Sequence, residues 1–222
     1  MQERYRTDYD GEFVILSTSF RNGKKEQQRE WVPNAIQNQH TSGRAAVIAN
    51  GKSRSKFPIK KLENHRGGLL GSKRLQTYGC LNSWKELQLN FYVELDGRNL
   101  PDLIETKYQE STIVYTTAKN CIYNPGEFYI IPYGVTLHPI ALSMYLAAFD
   151  GHKEVFCLGV DGILDNNEVD LSFVIHVEKV IKTYQNTRFT FVNNEGQIPE
   201  IWKKCFNCSC INYPTFISYC DV

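Results

Sequence analysis

What most constrains this chain is a succession of short, nearly unbroken apolar runs rich in Val, Ile, Phe and Tyr. They fall at 13–20 (FVILSTSF), 45–50 (AAVIAN), 75–80 (LQTYGC), 90–95 (NFYVEL), 111–117 (STIVYTT), 127–132 (EFYIIP), 154–160 (EVFCLGV) and 188–193 (RFTFVN). Strands that do not alternate apolar with polar are those covered on both faces, as in a parallel sheet. Two stretches between them read as helices. In 138–149 apolar residues fill most positions, Pro139 suits the first turn and Gly151 stops the helix. In 170–186 a broad apolar stripe runs from Leu171 to Tyr184, and Asp170 is placed to cap it. Strand, helix, strand, helix, strand from 127 to 193 implies parallel pairing through crossover helices.

The expected architecture is one α/β domain over 45–222, with a mostly parallel central sheet flanked by helices. Residues 1–44 are expected to be an N-terminal extension packing on it: a first strand, then a polar loop, RNGKKEQQREWVPNAIQNQH. A chain of 222 residues suits this plan and hides roughly 70% of its unfolded surface. The start is polar and shows no secretory signal, and no apolar run approaches the ~20 residues that span a bilayer. A cytoplasmic location without a membrane partner is therefore expected.

The net charge is only +1, but it is unevenly spread. Residues 51–74 hold eight Lys/Arg against the single acid Glu63, while the rest of the chain is net acidic. A basic stretch directly after a buried strand suits an anionic partner, phosphate or DNA; the alternative is a solvated basic face.

Seven cysteines without a signal read as reduced packing thiols. Cys205, Cys208, Cys210 and Cys220 cluster, yet C-x2-C-x-C-x9-C is not a usual zinc spacing. Residues 213–217 within that cluster read as a core strand, and no metal site is assigned.

In open parallel sheets ligands bind outside the carboxyl ends of the strands, so the residues following each run are the candidates. After the run at 45 come Asn50, Gly51, Lys52, Ser53 and Arg54. Gly51 permits close backbone approach, Ser53 and backbone N–H groups suit phosphate oxygens, and Lys52 and Arg54 supply charge. Arg74 closes a glycine-containing basic loop that could face the same phosphate. Asn82 follows the next run, where its amide can read a base or ribose, and Trp84 beside it suits either stacking or core packing. Glu94 and Asp96 fall on one face of the following strand, in a catalytic or merely solvated role. Thr136 is placed to cap the helix at 138, whose free N–H groups favour an anion. His138 at that helix start is disfavoured as a cation and could act as a neutral base. Asp161 leaves the run at 154, and His176 lies mid-helix.

Together, VIANGKSR, TYGCLNSW, Thr136 and YLAAFDGHKEVFCLGVDG resemble the Rossmann-like sialyltransferases of the Campylobacter type. They are also similar to motility-associated glycosyltransferase and pterin-pyrophosphokinase-like proteins, and to tailed-phage proteins with N-G-x-S and Y-G-C-N turns. The resemblance covers about 45–162, with departures: Asn82 stands two positions after Cys80, and Leu137-His138 replaces the usual Gly after Thr136. It implies a Rossmann-like fold that binds a nucleotide or nucleotide sugar through Asn50, Gly51, Ser53 and Asn82, with Asp161 near the nucleotide; Lys52, Arg54, Arg74 and Thr136 join the expected nucleotide-binding set from the residue readings above. The resemblance also implies that no metal is needed to hold that donor.

The expected function is a glycosyltransferase-like transfer by direct displacement at the anomeric carbon. Lys52, Arg54 and Arg74 would stabilise the leaving phosphate, and His138 or Asp161 would activate the acceptor hydroxyl. A bacteriophage origin would make the location the host cytoplasm and a modified nucleic-acid base a conceivable acceptor. The alternative is a non-catalytic DNA-binding or phage accessory protein using residues 51–74.

Overall fold

The computed structural model describes residues 1–6, 11–33, 43–65, 75–161, 170–194 and 198–220. A hairpin comes first: β1 (Gly11–Arg21) pairs antiparallel with β2 (Lys24–Pro33). Of the segment expected as a polar loop, residues 24–33 are a strand, and 34–40 lie outside the described residues. The two-residue turn Asn22-Gly23, with φ of 51° and 73°, has the left-handed pair that a tight hairpin demands.

The main sheet contains β3 (Arg44–Ile48), β4 (Gln76–Cys80), β5 (Phe91–Val93), β6 (Ile113–Thr116), β7 (Tyr129–Ile130), β8 (Glu154–Leu158), β9 (Arg188–Val192) and β10 (Cys208–Ile211). Their order is β10-β9-β8-β3-β4-β5-β6-β7, and every pairing is parallel. The helices are α1 (Leu100–Glu105), α2 (Ala118–Tyr123), α3 (Pro139–Phe149), α4 (Leu171–Thr183), α5 (Glu200–Lys203) and α6 (Tyr213–Cys220).

Alternate strand residues feed two cores, one on each face. Val47, Tyr78, Phe91, Val155 and Phe191 meet α3, α4 and Trp202 of α5 on one side. Ile48, Tyr92, Val114, Phe156 and Val192 meet Leu100, Leu103, Phe216, the loop residue Phe57 and the 3₁₀ residue Leu62 on the other. Helix α3 is buried from Ile140 to Phe149, because it lies between the sheet and α4. A helix apolar all round needs such a position. Helix α6 replaces the expected core strand at 213–217. Its buried residues Tyr213, Phe216 and Cys220 are three and four apart, the spacing of one helical face.

The N-terminal segment is tied to the amino edge of the sheet. Arg6 pairs with Asp150 and donates to the Tyr115 hydroxyl at 2.7 Å. Tyr78 donates to the other Asp150 oxygen at 2.5 Å. His152 Nε2 lies 2.9 Å from Gln76 Oε1 and 3.1 Å from the Tyr78 hydroxyl. Burial alone would lower the Arg6 pKa, but the Asp150 charge overrides it and the guanidinium is held raised. Among the described residues no helix is long and apolar enough to cross a membrane.

Candidate functional site at the carboxyl edge of the sheet

Strand order places β3 in the interior of the sheet. From β3 the chain moves outward through β4 to β7; α3 then returns it to β8 on the other side of β3. The connection after β3 packs on one face through Phe57 and Leu62, and α4 after β8 packs on the opposite face. Connections that leave two neighbouring strands toward opposite faces open a crevice at their carboxyl ends.

The two loops are stitched together at its base. Ala49 N–H bonds Leu158 O and Gly51 N–H bonds Gly159 O, each at 2.9 Å. A Cβ on Gly51 would collide with the Asp161 carboxylate and Gly159 O; one on Gly159, whose φ is 69°, would collide with Ala49 O. Both glycines are required by close backbone approach. Above them Ser53 donates its N–H to Asp161 Oδ2 at 2.8 Å and its hydroxyl to Oδ1. Tyr213 of α6 donates to Ser53 O.

Arg54 is buried under the turn. Its Nε donates to Ala49 O, and its two terminal nitrogens clasp Glu86 at 2.9 and 2.6 Å. That fork, against the opposing effect of burial, holds the Glu86 carboxyl below its ordinary pKa. Asn50 is exposed; its Oδ1 accepts Asn82 N–H at 3.1 Å and its Nδ2 reaches Glu86 at 3.4 Å. Leu81, just before Asn82, has a φ of 58°. Lys52 is exposed on the turn, as are Lys56, Lys60 and Lys61 beyond it.

A second group sits at the start of α3. His138, not Thr136, is the N-cap: its Nδ1 accepts Ile140 N–H at 3.3 Å, while Thr136 is exposed. His138 N–H donates to His176 Nδ1 of α4 at 2.9 Å, and its ring meets Phe173 edge-on. Burial lowers the His138 pKa, opposed by Asp170 and aided by His176. Ser143, five residues on, donates to Gly79 O of β4. His138 therefore stands roughly 7 Å beyond that point along the helix, on the carboxyl side.

Asn50, Gly51, Lys52, Ser53, Arg54, Asn82 and Asp161 thus form one cluster around the crevice. Thr136 and His138 stand apart from it at the start of α3, and no hydrogen bond or ion pair among the described residues joins them to that cluster. Arg74 lies outside the described residues, as does the rest of 66–74. β5 ends at Val93, with Glu94 buried and Asp96 exposed beyond it; the two side chains lie within hydrogen-bonding reach of each other, and Asp96 also pairs with exposed Arg98. Trp84 packs edge-on against Tyr108. Among the described residues no group of three His, Cys, Asp or Glu is arranged to hold a metal. Cys205 and Cys220 lie in different cores, on opposite faces of the sheet. Glu86 and Tyr213 are not legible as site neighbours in the sequence, because each acts through a partner distant in the chain.

No protein-family model matches the sequence, and no curated protein matches it. Two solved structures are similar. One is the sialyltransferase CstII from Campylobacter jejuni in complex with a substrate analogue, CMP-3FNeuAc, with TM-score 0.46 and 12% identity, covering 67% of this chain and 79% of that one. The other is the α-2,3-sialyltransferase from Campylobacter jejuni in apo form, with TM-score 0.42 and 13% identity, covering 67% and 74%. Likeness of this degree concerns the fold alone.

Proposed function

We propose that the chain binds a nucleotide or nucleotide sugar in the crevice between the β3 and β8 loops and transfers the sugar as a glycosyltransferase-like enzyme. The observation that carries this reading is the stitched switch point: two glycines, Ser53 and Asp161 meet where open parallel sheets bind their ligands. The exposed amides of Asn50 and Asn82 and the ammonium of Lys52 would face the donor. Arg54 would act from beneath, keeping Glu86 and the turn in place.

In the proposed step the bond from the anomeric carbon to the donor phosphate breaks and its electron pair leaves with the nucleotide. The acceptor oxygen bonds to that carbon and its proton passes to a base. Geometry favours Asp161 for this role over His138. Each Asp161 oxygen accepts once from Ser53 and keeps a second lone pair, whereas the His138 Nδ1 lone pair already caps α3. A neutral His138 would instead present Nε2–H as a donor toward developing negative charge.

The test is thermal unfolding and calorimetric titration with CMP, UDP, GDP, ADP and their sugar conjugates. A ligand at 100 times its Kd adds about 2.7 kcal/mol. Selective stabilisation by one nucleotide, followed by donor turnover, is expected. A flat response to all of them overturns the reading. If a salt-sensitive response to short DNA accompanies that flat response, the four exposed lysines at 52–61 become the binding surface instead.

A further inference from the structure

We infer that Tyr92 is a positioning residue of this nucleotide site: it pins the Leu81 carbonyl so that Leu81 stays left-handed and presents the Asn82 amide to the ligand. The inference rests on the proposed nucleotide reading and adds a role for a buried residue of the neighbouring strand.

Three observations carry it. Leu81 has a φ of 58° although it is not glycine, and its side chain is exposed. A branched residue persists there only when its surroundings over-determine it, and such residues gather at ligand sites. Those surroundings are present: Tyr92 donates to Leu81 O at 2.5 Å, Ser83 Oγ to Cys80 O at 2.7 Å, and Asn82 N–H to Asn50 Oδ1 at 3.1 Å.

Second, Asn82 occupies the N-cap of the following 3₁₀ turn, yet its side chain does not cap it. Asparagine at an N-cap ordinarily spends its side-chain oxygen on the backbone. Here the amide is exposed and makes no hydrogen bond among the described residues, so its donor and acceptor are both available to a ligand.

Third, Tyr92 is itself held. Its ring is fully buried, and its hydroxyl lies 3.2 Å from Glu94 Oε2. Glu94 is fixed in turn by Gly97 N–H at 3.1 Å and the Asn99 amide at 2.6 Å. Burial, with Glu94 beside it, raises the Tyr92 phenol pKa, so it remains a protonated donor. Its hydrogen serves the shorter contact, to Leu81 O.

The experiment is a double-mutant cycle on the Kd of CMP, UDP, GDP and ADP, read by calorimetry with stoichiometry and melting temperature recorded. Tyr92→Phe keeps the ring and removes only the clamp. It should weaken binding of the preferred nucleotide about tenfold at unchanged stoichiometry, and have no further effect in Asn82→Ala protein. A purely structural role would lower melting temperature and binding-competent fraction but leave Kd intact, which would overturn the inference. Fully additive effects of the two substitutions would also overturn it. If Tyr92→Phe does not fold, Leu81→Val takes its place. A β-branched residue is disfavoured at a left-handed φ, so this exposed substitution loads the turn with every partner present; weaker binding is expected, and unchanged affinity in that variant refutes the inference. Failure of wild type to bind any of the four removes the nucleotide reading itself, and the inference falls with it.

Discussion

Ser53 and Asp161, 108 residues apart, are joined by two hydrogen bonds, the Ser53 N–H and hydroxyl each resting on one carboxylate oxygen. This is the tie that makes the loops after β3 and β8 one site. Asp161→Asn places an NH2 group against one of the two Ser53 donors. We expect a loss of about 1–2 kcal/mol in stability and at least ~100-fold in donor turnover. Ser53→Ala should cost less in both. Chemical denaturation beside a turnover assay separates the two effects; unchanged turnover in folded Asp161→Asn protein would remove Asp161 from the reaction.

Gly159 combines a left-handed φ with a Cβ direction blocked by the backbone of Ala49. Backbone cannot swing aside as the end of a side chain can. Gly159→Ala should therefore destabilise the fold by about 2 kcal/mol or more. Gly126→Ala is the control for backbone strain: its φ is 85°, but nothing lies within 4 Å of an added Cβ. It should cost distinctly less in equilibrium unfolding.

The Arg54–Glu86 fork predicts an acid sensitivity. The Glu86 pKa is lower in the folded chain than the ordinary 4.5. Its contribution is therefore full above pH 4.5 and is lost as pH falls through the folded value. The Glu86 side chain is 41% exposed, so solvent screening limits the effect to roughly 1 kcal/mol. Glu86→Gln should flatten the pH dependence of stability below 4.5 and leave it unchanged near neutrality.

His138 makes a separate prediction at milder pH. Its folded pKa lies below 6.5 because burial disfavours the imidazolium, an effect Asp170 opposes and His176 adds to. A group with a depressed folded pKa contributes fully above its unfolded value and loses that contribution as pH falls through the folded one. Stability should thus decline from pH 6.5 downward. His138→Asn retains a capping side chain for α3 and should reduce that slope, measured by denaturant unfolding between pH 5 and 7.

How much of this was legible in the sequence differs by element. The apolar runs at 45, 75, 90, 111, 154 and 188 are strands, and the patterns at 138 and 170 are helices, with Asp170 as the N-cap. Where the reading failed, a local signal had been outweighed. Asn22-Gly23 announced a hairpin, but the polar residues after it suggested a loop. Tyr213, Phe216 and Cys220 had helical spacing, but aromatic and β-branched content suggested a strand. Thr136 is a good capping residue by type, yet His138 stands nearer the helix and takes the position.

The sequence by itself determined the parallel α/β plan, because runs without alternation must be covered on both faces. It also determined where polar turns follow the strands. The tertiary structure alone decided which turns meet: strand order brings the β8 loop beside the β3 loop, and no local pattern encodes that order. It likewise decided what each charge faces. Arg54 reads as a phosphate ligand beside Lys52 in the chain, yet it points inward to Glu86, 32 residues away. A buried guanidinium must find a carboxylate, and only the fold determines which one lies within reach.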